Sequence, residues 1–166
     1  SALILTVVNT SSSFAKVEGD TIVLGAAVSL TGKYSSNGVH TQNGYNLAVE
    51  RINSMGGVKV KGKNYKFKII YYDDESNSGR AAQLAERLIK QDGVQYMLGP
   101  YSSGLTKAMA PVTEKYKIPM VEANGASRSL FTKGYKYLFA VLAPANLYLD
   151  VFLILNCKPN IPISFS

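Results

Sequence analysis

Long apolar runs alternate along the chain with segments in which apolar residues recur every three or four positions. Residues 21–30 (TIVLGAAVSL) are almost continuously apolar, as expected for a β-strand that is covered on both faces. Shorter runs that suit strands follow further along the chain. The pattern predicts these four additional strands at residues 65–72, 96–99, 118–123 and 137–142.

The three segments between the first four strands have the apolar spacing of amphipathic helices. Asn77 or Ser78 can cap the start of the second helix. The first helix is expected to end at Gly56-Gly57, and Pro111 is expected to kink or interrupt the third. The three apolar stripes are Tyr45, Ala48, Val49, Ile52 and Met55; Ala81, Leu84, Ala85, Leu88 and Ile89; and Leu105, Ala108, Met109, Val112 and Tyr116.

Strands that alternate with helices through short loops predict an α/β fold, a three-layer arrangement around a doubly wound parallel sheet. In such sheets, ligands bind in the crevice at the carboxyl ends of the strands. The loops predicted for that edge are residues 31–38, 73–77, 100–104 and 124–127. Gly56-Gly57 falls at the opposite edge, where a structural role is expected.

Composition supports a globular chain and argues against a nucleic-acid partner. The 166 residues are 46% apolar and 17% charged, enough for one domain with a substantial core. The net charge is +7, but the lysines are scattered. Their densest run, residues 59–68, is interleaved with Val, Gly and Tyr around a predicted turn and strand start. It is interpreted as a solvated face, since no basic helix accompanies it.

The first fifteen residues predict export. They carry no charge, open with an apolar run and end in Ser13-Phe14-Ala15, which is typical of the back half of a secretory signal cleaved after Ala15. A buried first strand is the alternative. The lone cysteine, Cys157, excludes an intramolecular disulfide and lies far from the cleavage point. A periplasmic protein without a lipid anchor is therefore expected.

Catalytic and metal sites are not indicated. His40 is the single histidine and has no neighbouring base or nucleophile, so a capping or surface role is expected. One His and one Cys cannot form an ordinary zinc site. Asp73, Asp74 and Glu75 could bind Mg²⁺, but roles in the loop and at the following helix start are favoured. We expect no enzyme, metal or cofactor.

One enzymatic alternative stays open. Residues 31–38 (TGKYSSNG) resemble the glycine-rich turn of short-chain dehydrogenases, which would make the chain a nucleotide-cofactor oxidoreductase. Ser36 replaces the middle glycine, where a side chain would impede a pyrophosphate. No Tyr is followed four positions later by Lys, so the tyrosine–lysine pair of those enzymes is absent.

Two loops suit ligand binding without chemistry. Ser102 and Ser103 lie between a strand end and a helix start, where hydroxyls and unpaired backbone amides form a carboxylate site. Simple helix capping is the alternative for both serines. Residues 124–127 offer a second group of backbone and small polar groups. The predicted ligand-binding residues are Tyr34, Ser102, Ser103, Asn124, Gly125, Ala126 and Ser127.

Gly125 and Tyr34 are given specific parts in that site. Gly125 would let a ligand approach the backbone closely. Tyr34, in the first loop, would pack its ring against the ligand.

The chain resembles the type I periplasmic binding proteins, the branch that includes the leucine/isoleucine/valine-binding proteins. The resemblance runs in order from about residue 21 to residue 148. It depends on residues 26–32, 44–57, 72–76, 91–94, 99–103, 110–112, 118–119 and 124–127.

The resemblance implies a function. Residues 16–149 would form the N-terminal lobe of a substrate-binding component of an ABC importer, with a membrane permease as partner. Such proteins close two lobes on an amino acid or similar small polar solute, and the first lobe grips its carboxylate and amino group. A ligand-sensing domain of a receptor is the alternative, because the same fold serves there.

The resemblance also transfers individual roles. Ser103, with Ser102 beside it, and Asn124 and Ala126 would contact the ligand, and Gly125 would give clearance. Leucine-binding members often carry Thr where Ala126 stands, so leucine itself is not implied.

The end of the chain departs from that family. Residues 150–166 include Pro159 and Pro162, which would break a helix. They are interpreted as an aberrant or truncated tail that takes the place of the second lobe, with an edge strand as the alternative. One lobe leaves the site open, so millimolar affinity at best, about −4 kcal/mol, is expected.

Overall fold

The computed structural model describes residues 17–148, so the predicted signal segment 1–15 and the tail 150–166 lie outside the described residues. Strands and helices alternate through most of the described range, as the sequence pattern predicts. In chain order the elements are β1 (Val17–Glu18), β2 (Thr21–Val28), α1 (Ser35–Ser54), β3 (Val58–Val60), β4 (Lys63–Asp73), α2 (Ser78–Lys90), β5 (Met97–Leu98), α3 (Ser103–Tyr116), β6 (Met120–Glu122), α4 (Arg128–Phe131), β7 (Leu138–Ala140) and a 3₁₀ turn (Ala145–Leu147).

The strands form one mainly parallel sheet. Its order is β3-β4-β2-β5-β6-β7, and β1 pairs with the start of β2. All pairs from β4 to β7 are parallel, which confirms the predicted α/β fold. The pairs β1–β2 and β3–β4 are antiparallel. The sequence pattern did not predict β1 or β3, because strands of two or three residues carry little periodicity.

Side chains alternate across the sheet and assign the helices to its two faces. On β4, Tyr72 packs against the buried core and lies under the Arg87 guanidinium of α2, 4.4 Å from its ring centroid. The neighbouring Tyr71 points the other way and donates to Asn46 of α1. Helices α2 and α3 therefore cover one face of the sheet, and α1 lies on the other.

The main core fills the face covered by α2 and α3. Four residues of the predicted α2 stripe are buried, and Ile89 packs against them at the border of the core. Helix α3 continues through Pro111, so of the predicted kink or interruption at that residue the interruption is absent. The neighbouring Met109 and Ala110 are buried, and their packing holds the helix where the proline lacks an amide donor.

The face beside α1 is less fully covered. Of the predicted α1 stripe, Tyr45, Val49 and Ile52 are half-buried, whereas Ala48 is exposed and Met55 keeps 68% of its accessible surface. Beside the helix, an apolar groove of about 340 Å³ runs over the sheet. Its lining residues are Ile22, Leu24, Phe67, Tyr96, Met97, Leu98, Pro119 and Val121.

At the opposite edge of the sheet, where the parallel strands begin, Gly56-Gly57 has the predicted structural role. Gly57 has a φ of +84°, and a side chain there would meet the Tyr65 carbonyl oxygen at 2.1 Å. Only glycine fits this turn from α1 into β3, since both the backbone conformation and the space exclude a Cβ.

Candidate functional site

The loops after β2 and β4 are bound to each other. The Asp73 carboxylate accepts the amide of Leu30 at 2.9 Å and the hydroxyl of Thr31 at 2.7 Å. It also accepts the Glu75 amide at 2.8 Å. Asp73 is thus an internal organiser of both loops, which confirms the predicted loop role. Within residues 17–148 no group of three His, Cys, Asp or Glu side chains could hold a metal ion.

A second carboxylate, that of Asp74, also joins the loops after β2 and β4. Asp74 is fully buried and accepts the Ser29 hydroxyl at 2.6 Å and the Ser76 amide at 2.8 Å. Burial raises the pKa of Asp74 above its usual value. The Ser76 hydroxyl continues the network, because it accepts the Tyr34 amide and donates to the Thr31 carbonyl.

The turn that resembles a dehydrogenase loop is closed by these contacts. A Cβ at Gly32 would meet the Glu75 carbonyl oxygen at 2.7 Å, and a Cβ at Gly38 would meet the Ser29 carbonyl oxygen at 1.8 Å. At both glycines the protein's own backbone therefore occupies the space that a pyrophosphate would need.

The loop after β5 leads into α3 through Ser102. The Ser102 hydroxyl oxygen accepts the Leu105 amide at 3.4 Å. This serine is therefore a helix cap, which is the alternative role that the sequence analysis gave it. The Ser103 oxygen accepts the Ser127 amide at 3.0 Å. The amides of Ser103 and Gly104 belong to the first helical turn and have no intrahelical acceptor. These two amides, with the Ser103 hydroxyl hydrogen, can bind an anion.

The loop after β6 is arranged around a side chain that the sequence reasoning missed. Glu122 is fully buried, and its Oε1 accepts the amides of Asn124 and Gly125. Thr106 lies 2.6 Å from its Oε2 and donates to it. Burial raises the pKa of Glu122, and these hydrogen bonds offset only part of that increase. A charged residue inside the apolar run 118–123 was the available signal.

This arrangement changes the part assigned to Gly125. A Cβ at Gly125 would meet the Thr106 hydroxyl at 2.8 Å and Leu130 at 3.0 Å. The missing side chain thus gives room to the core and not to a ligand. The amides of Asn124 and Gly125 are committed to Glu122, and the Ala126 carbonyl accepts the Ala145 amide at 2.7 Å.

A cleft of about 550 Å³ opens at this edge, between α1 and the loops that follow β5 and β6. Five lining residues share one face of α1, at the helical spacing i, i+3, i+4, i+7 and i+8. The sequence analysis did not identify that face as part of a site, although its small and polar residues were the signal. The lining residues are Asn37, His40, Thr41, Gly44, Tyr45, Tyr101, Ala123 and Asn124.

Two tyrosines line the cleft from opposite sides, Tyr45 on α1 and Tyr101 in the loop after β5. The rings of Tyr34 and Tyr101 meet edge to face, with centroids 5.5 Å apart. Tyr45 donates its hydroxyl to the Gly99 carbonyl at 2.7 Å. Burial raises the pKa of Tyr45 far above its usual range, so the phenol is a neutral donor. Tyr34 therefore supports the cleft through Tyr101.

The predicted site residues fall into three groups. Asn124 lines the cleft directly, and Tyr34 reaches it through a neighbouring ring. Ser103 and Ser127 are hydrogen-bonded to each other. Ser102 caps α3, Gly125 packs against the core, and the Ala126 carbonyl accepts the Ala145 amide. In residues 17–148, no helix combines the length and apolar character that a membrane crossing needs.

Comparison with known proteins gives a consistent set of relatives. A family model described as "Periplasmic binding protein" matches residues 21–150. The leucine-, isoleucine-, valine-, threonine- and alanine-binding protein of Pseudomonas aeruginosa is 26% identical over 128 residues, which are 77% of this chain and 33% of that protein.

Solved structures agree with this match. The branched-chain amino acid transporter substrate-binding protein LivJ of Streptococcus pneumoniae, in complex with isoleucine, has a TM-score of 0.67 and 31% identity over 74% of this chain and 34% of its own. A solute-binding protein of an ABC transporter from Rhodopseudomonas palustris, in complex with 3,4-dihydroxybenzoic acid, has a TM-score of 0.61 and 28% identity over 73% and 31% of the two chains. The chain spans about a third of the length of these relatives.

Proposed function

The chain belongs to the periplasmic binding protein family, and from this premise we propose that it is a ligand-binding part of the extracytoplasmic substrate-binding component of an ABC importer. It would act in the periplasm and deliver its solute to a membrane permease. It binds and does not turn over its ligand. Binding and transport proteins are the relatives that support this reading.

The proposed ligand is an amino acid or a similar small solute with a carboxylate. One observation carries this proposal: Tyr101 lines the cleft two residues before α3 begins, and the Ser103 and Gly104 amides in the first turn of α3 have no intrahelical acceptor. A helix N-terminus attracts negative charge. The carboxylate would bind there, and the rest of the solute would lie in the cleft against Tyr101 and Asn124.

Ser103, Ser127 and Ala126 would complete the polar side of the proposed site. The Ser103 oxygen accepts the Ser127 amide, which leaves its hydroxyl hydrogen to donate outward. Ser102, Gly125 and Tyr34 would contribute by shaping the loops. This division of roles replaces direct contact by all seven predicted residues.

Chemical-shift titration of the ¹⁵N-labelled chain tests the proposal. Isoleucine is the probe, and isoleucinamide, which lacks the carboxylate, is the matched control. We expect saturable chemical-shift changes at the Ser103, Gly104 and Asn124 amides when isoleucine is added, and none when isoleucinamide is added. The affinity should be millimolar, about −4 kcal/mol, because the described residues contact a solute from one side.

Two results would reject this site. The first is an absence of shifts at these amides up to the solubility of isoleucine. The second is an equal response to isoleucinamide, which would show that the helix start does not bind a carboxylate. 3,4-Dihydroxybenzoate is a second probe, because its carboxylate would occupy the same amides while its ring contacts Tyr101.

A further inference from the structure

Glu122 is a buried acid that no part of the proposed binding site uses directly. It ends β6, has no accessible surface and receives three hydrogen bonds, from Thr106, Asn124 and Gly125. Among the ion pairs of residues 17–148, none involves Glu122. Its carboxyl is therefore satisfied by backbone amides and one hydroxyl, and both of its oxygens are committed.

Thr106 extends these contacts to the other ligand-binding loop. Its hydroxyl lies 2.6 Å from Glu122 Oε2 and 2.9 Å from the Ser102 carbonyl oxygen. A hydroxyl has one hydrogen to donate. With Glu122 ionised, Thr106 donates to the carboxylate. With Glu122 protonated on Oε2, the carboxyl donates to Thr106, which then donates to Ser102. The relay through the Thr106 hydroxyl is therefore complete when Glu122 is protonated; when Glu122 is ionised, Thr106 still reaches the Ser102 carbonyl through its backbone amide, at 3.1 Å.

Close packing gives these hydrogen bonds a fixed geometry. A Cβ at Gly99 would lie 2.1 Å from Glu122 Oε2, so the carboxyl lies directly against the backbone of the β5 loop. Gly99 in turn accepts the Tyr45 hydroxyl from α1 at 2.7 Å. The Glu122 carboxyl thus contacts both loops, and Gly99 links it to the helix that forms the opposite side of the cleft.

We propose that Glu122 is a positioning residue for ligand binding: by holding the amides of Asn124 and Gly125 and, through Thr106, the Ser102 turn, it sets the distance between the two loops that grip the solute. This inference rests on the proposed function. Glu122 itself does not touch the ligand. This role requires a hydrogen-bond acceptor of the same size at position 122, because the amides of Asn124 and Gly125 lose their partner when the acceptor is removed.

Two substitutions separate this role from simple stability. In Glu122→Gln, the side-chain carbonyl can accept both amides and the side-chain NH₂ can donate to Thr106, which keeps the chain of hydrogen bonds. Glu122→Leu has similar volume and no acceptor. Thr113→Val is the matched control, because Thr113 is also fully buried on α3 but donates to the Ala110 carbonyl, away from both loops.

The first measurement needs no ligand. Amide hydrogen exchange of residues 124–127 is followed in the three variants and the wild type. We expect faster exchange at Asn124 and Gly125 in Glu122→Leu, and wild-type protection in Glu122→Gln and Thr113→Val. Unchanged protection in Glu122→Leu would overturn the proposal, whether or not the chain binds isoleucine.

The second measurement is the isoleucine titration. Affinity should fall about tenfold in Glu122→Leu, the loss expected when a buried hydrogen-bond acceptor is removed, and change less than about twofold in Glu122→Gln and Thr113→Val. Equal losses in the leucine and glutamine variants would overturn the proposal. If the wild type fails to bind isoleucine while exchange behaves as expected, the proposed ligand is wrong and the positioning of the loops by Glu122 stands.

Discussion

The Ser103 hydroxyl oxygen accepts the backbone amide of Ser127 at 3.0 Å, across a separation of 24 residues. This bond ties the start of α3 to the loop after β6. The two loops that the sequence nominated for ligand binding are therefore in direct contact. The proposed carboxylate site lies on the α3 side of this bond, so the bond fixes one border of the site.

Ser103→Ala should weaken both the fold and ligand binding. The Ser127 amide loses its acceptor, which costs about 1 kcal/mol in the free energy of unfolding. The shifts that isoleucine induces at Gly104 should also diminish. Urea unfolding and the NMR titration measure the two effects. Ser129→Ala is the control, because Ser129 is exposed and its hydroxyl is hydrogen-bonded to that of Ser127. Equal losses in both variants would contradict the role of Ser103.

Two glycines of α1 should respond in opposite ways to alanine. A Cβ at Gly38 would lie 1.8 Å from the Ser29 carbonyl oxygen, whereas a Cβ at Gly44 meets nothing within 4 Å. Gly38→Ala should destabilise by about 1–3 kcal/mol through overpacking. Gly44→Ala should stabilise by about 0.5–1 kcal/mol, because glycine is a poor helix former.

Thermal unfolding of the two variants is sufficient to test this pair. The midpoint should rise for Gly44→Ala and fall for Gly38→Ala. A fall in both would show that the open side of α1 is covered by something at Gly44.

Removing the N-cap of α2 should cost about 1 kcal/mol of stability. The Asn77 side-chain oxygen accepts the Arg80 amide at 3.0 Å, as the sequence predicted for Asn77 or Ser78. Asn77→Ala removes that acceptor, while Asn77→Asp keeps it and adds a charge that favours the helix start. Denaturant unfolding should rank aspartate at or above wild type and alanine below; an alanine variant as stable as wild type would refute the cap.

Asp73 should make the stability of the protein fall on acidification. Burial alone raises the pKa of this carboxyl, but hydrogen bonds from Thr31, Glu75 and Leu30 outweigh burial and lower the pKa below its ordinary value. The folded state therefore favours the ionised form. The stability that Asp73 contributes is present above the unfolded pKa of about 3.9 and is lost as the pH falls through the lower folded value.

Unfolding of wild type and Asp73→Asn at a series of pH values measures this contribution. The two free energies of unfolding should converge as the pH falls through that window. A difference that stays constant with pH would show that the charge of Asp73 does not matter.

The sequence predicted the strands and helices that have the longest and most regular apolar patterns. The unbroken apolar run of β2 and the regular stripe of α2 each specify a type of structure and a buried face without help from the rest of the chain. The edge of the sheet that carries the cleft also followed, because parallel strands place their exits together. Those features depend on local patterns alone.

The parts that were missed depend on contacts distant in sequence. Glu122 stood out as a charged residue in an apolar run, but the sequence did not show that it would bind a threonine of α3, 16 residues away. From the sequence, Gly125 could make room either for a ligand or for neighbouring side chains. Only the packing shows that Leu130 and Thr106 occupy that space. Thr41 and Gly44 line the cleft because of where α1 lies on the sheet, which its own periodicity does not specify.

The pairing of Gly25 with Met97, which places β5 beside β2, has a kinetic consequence. The α1 side of the cleft comes from residues inside the segment that this pairing closes, and the Tyr101 and Asn124 side comes from residues after it. Closing so large a loop is entropically slow. The cleft therefore forms only after this non-local step, and a folding species in which β5 does not lie beside β2 would lack it.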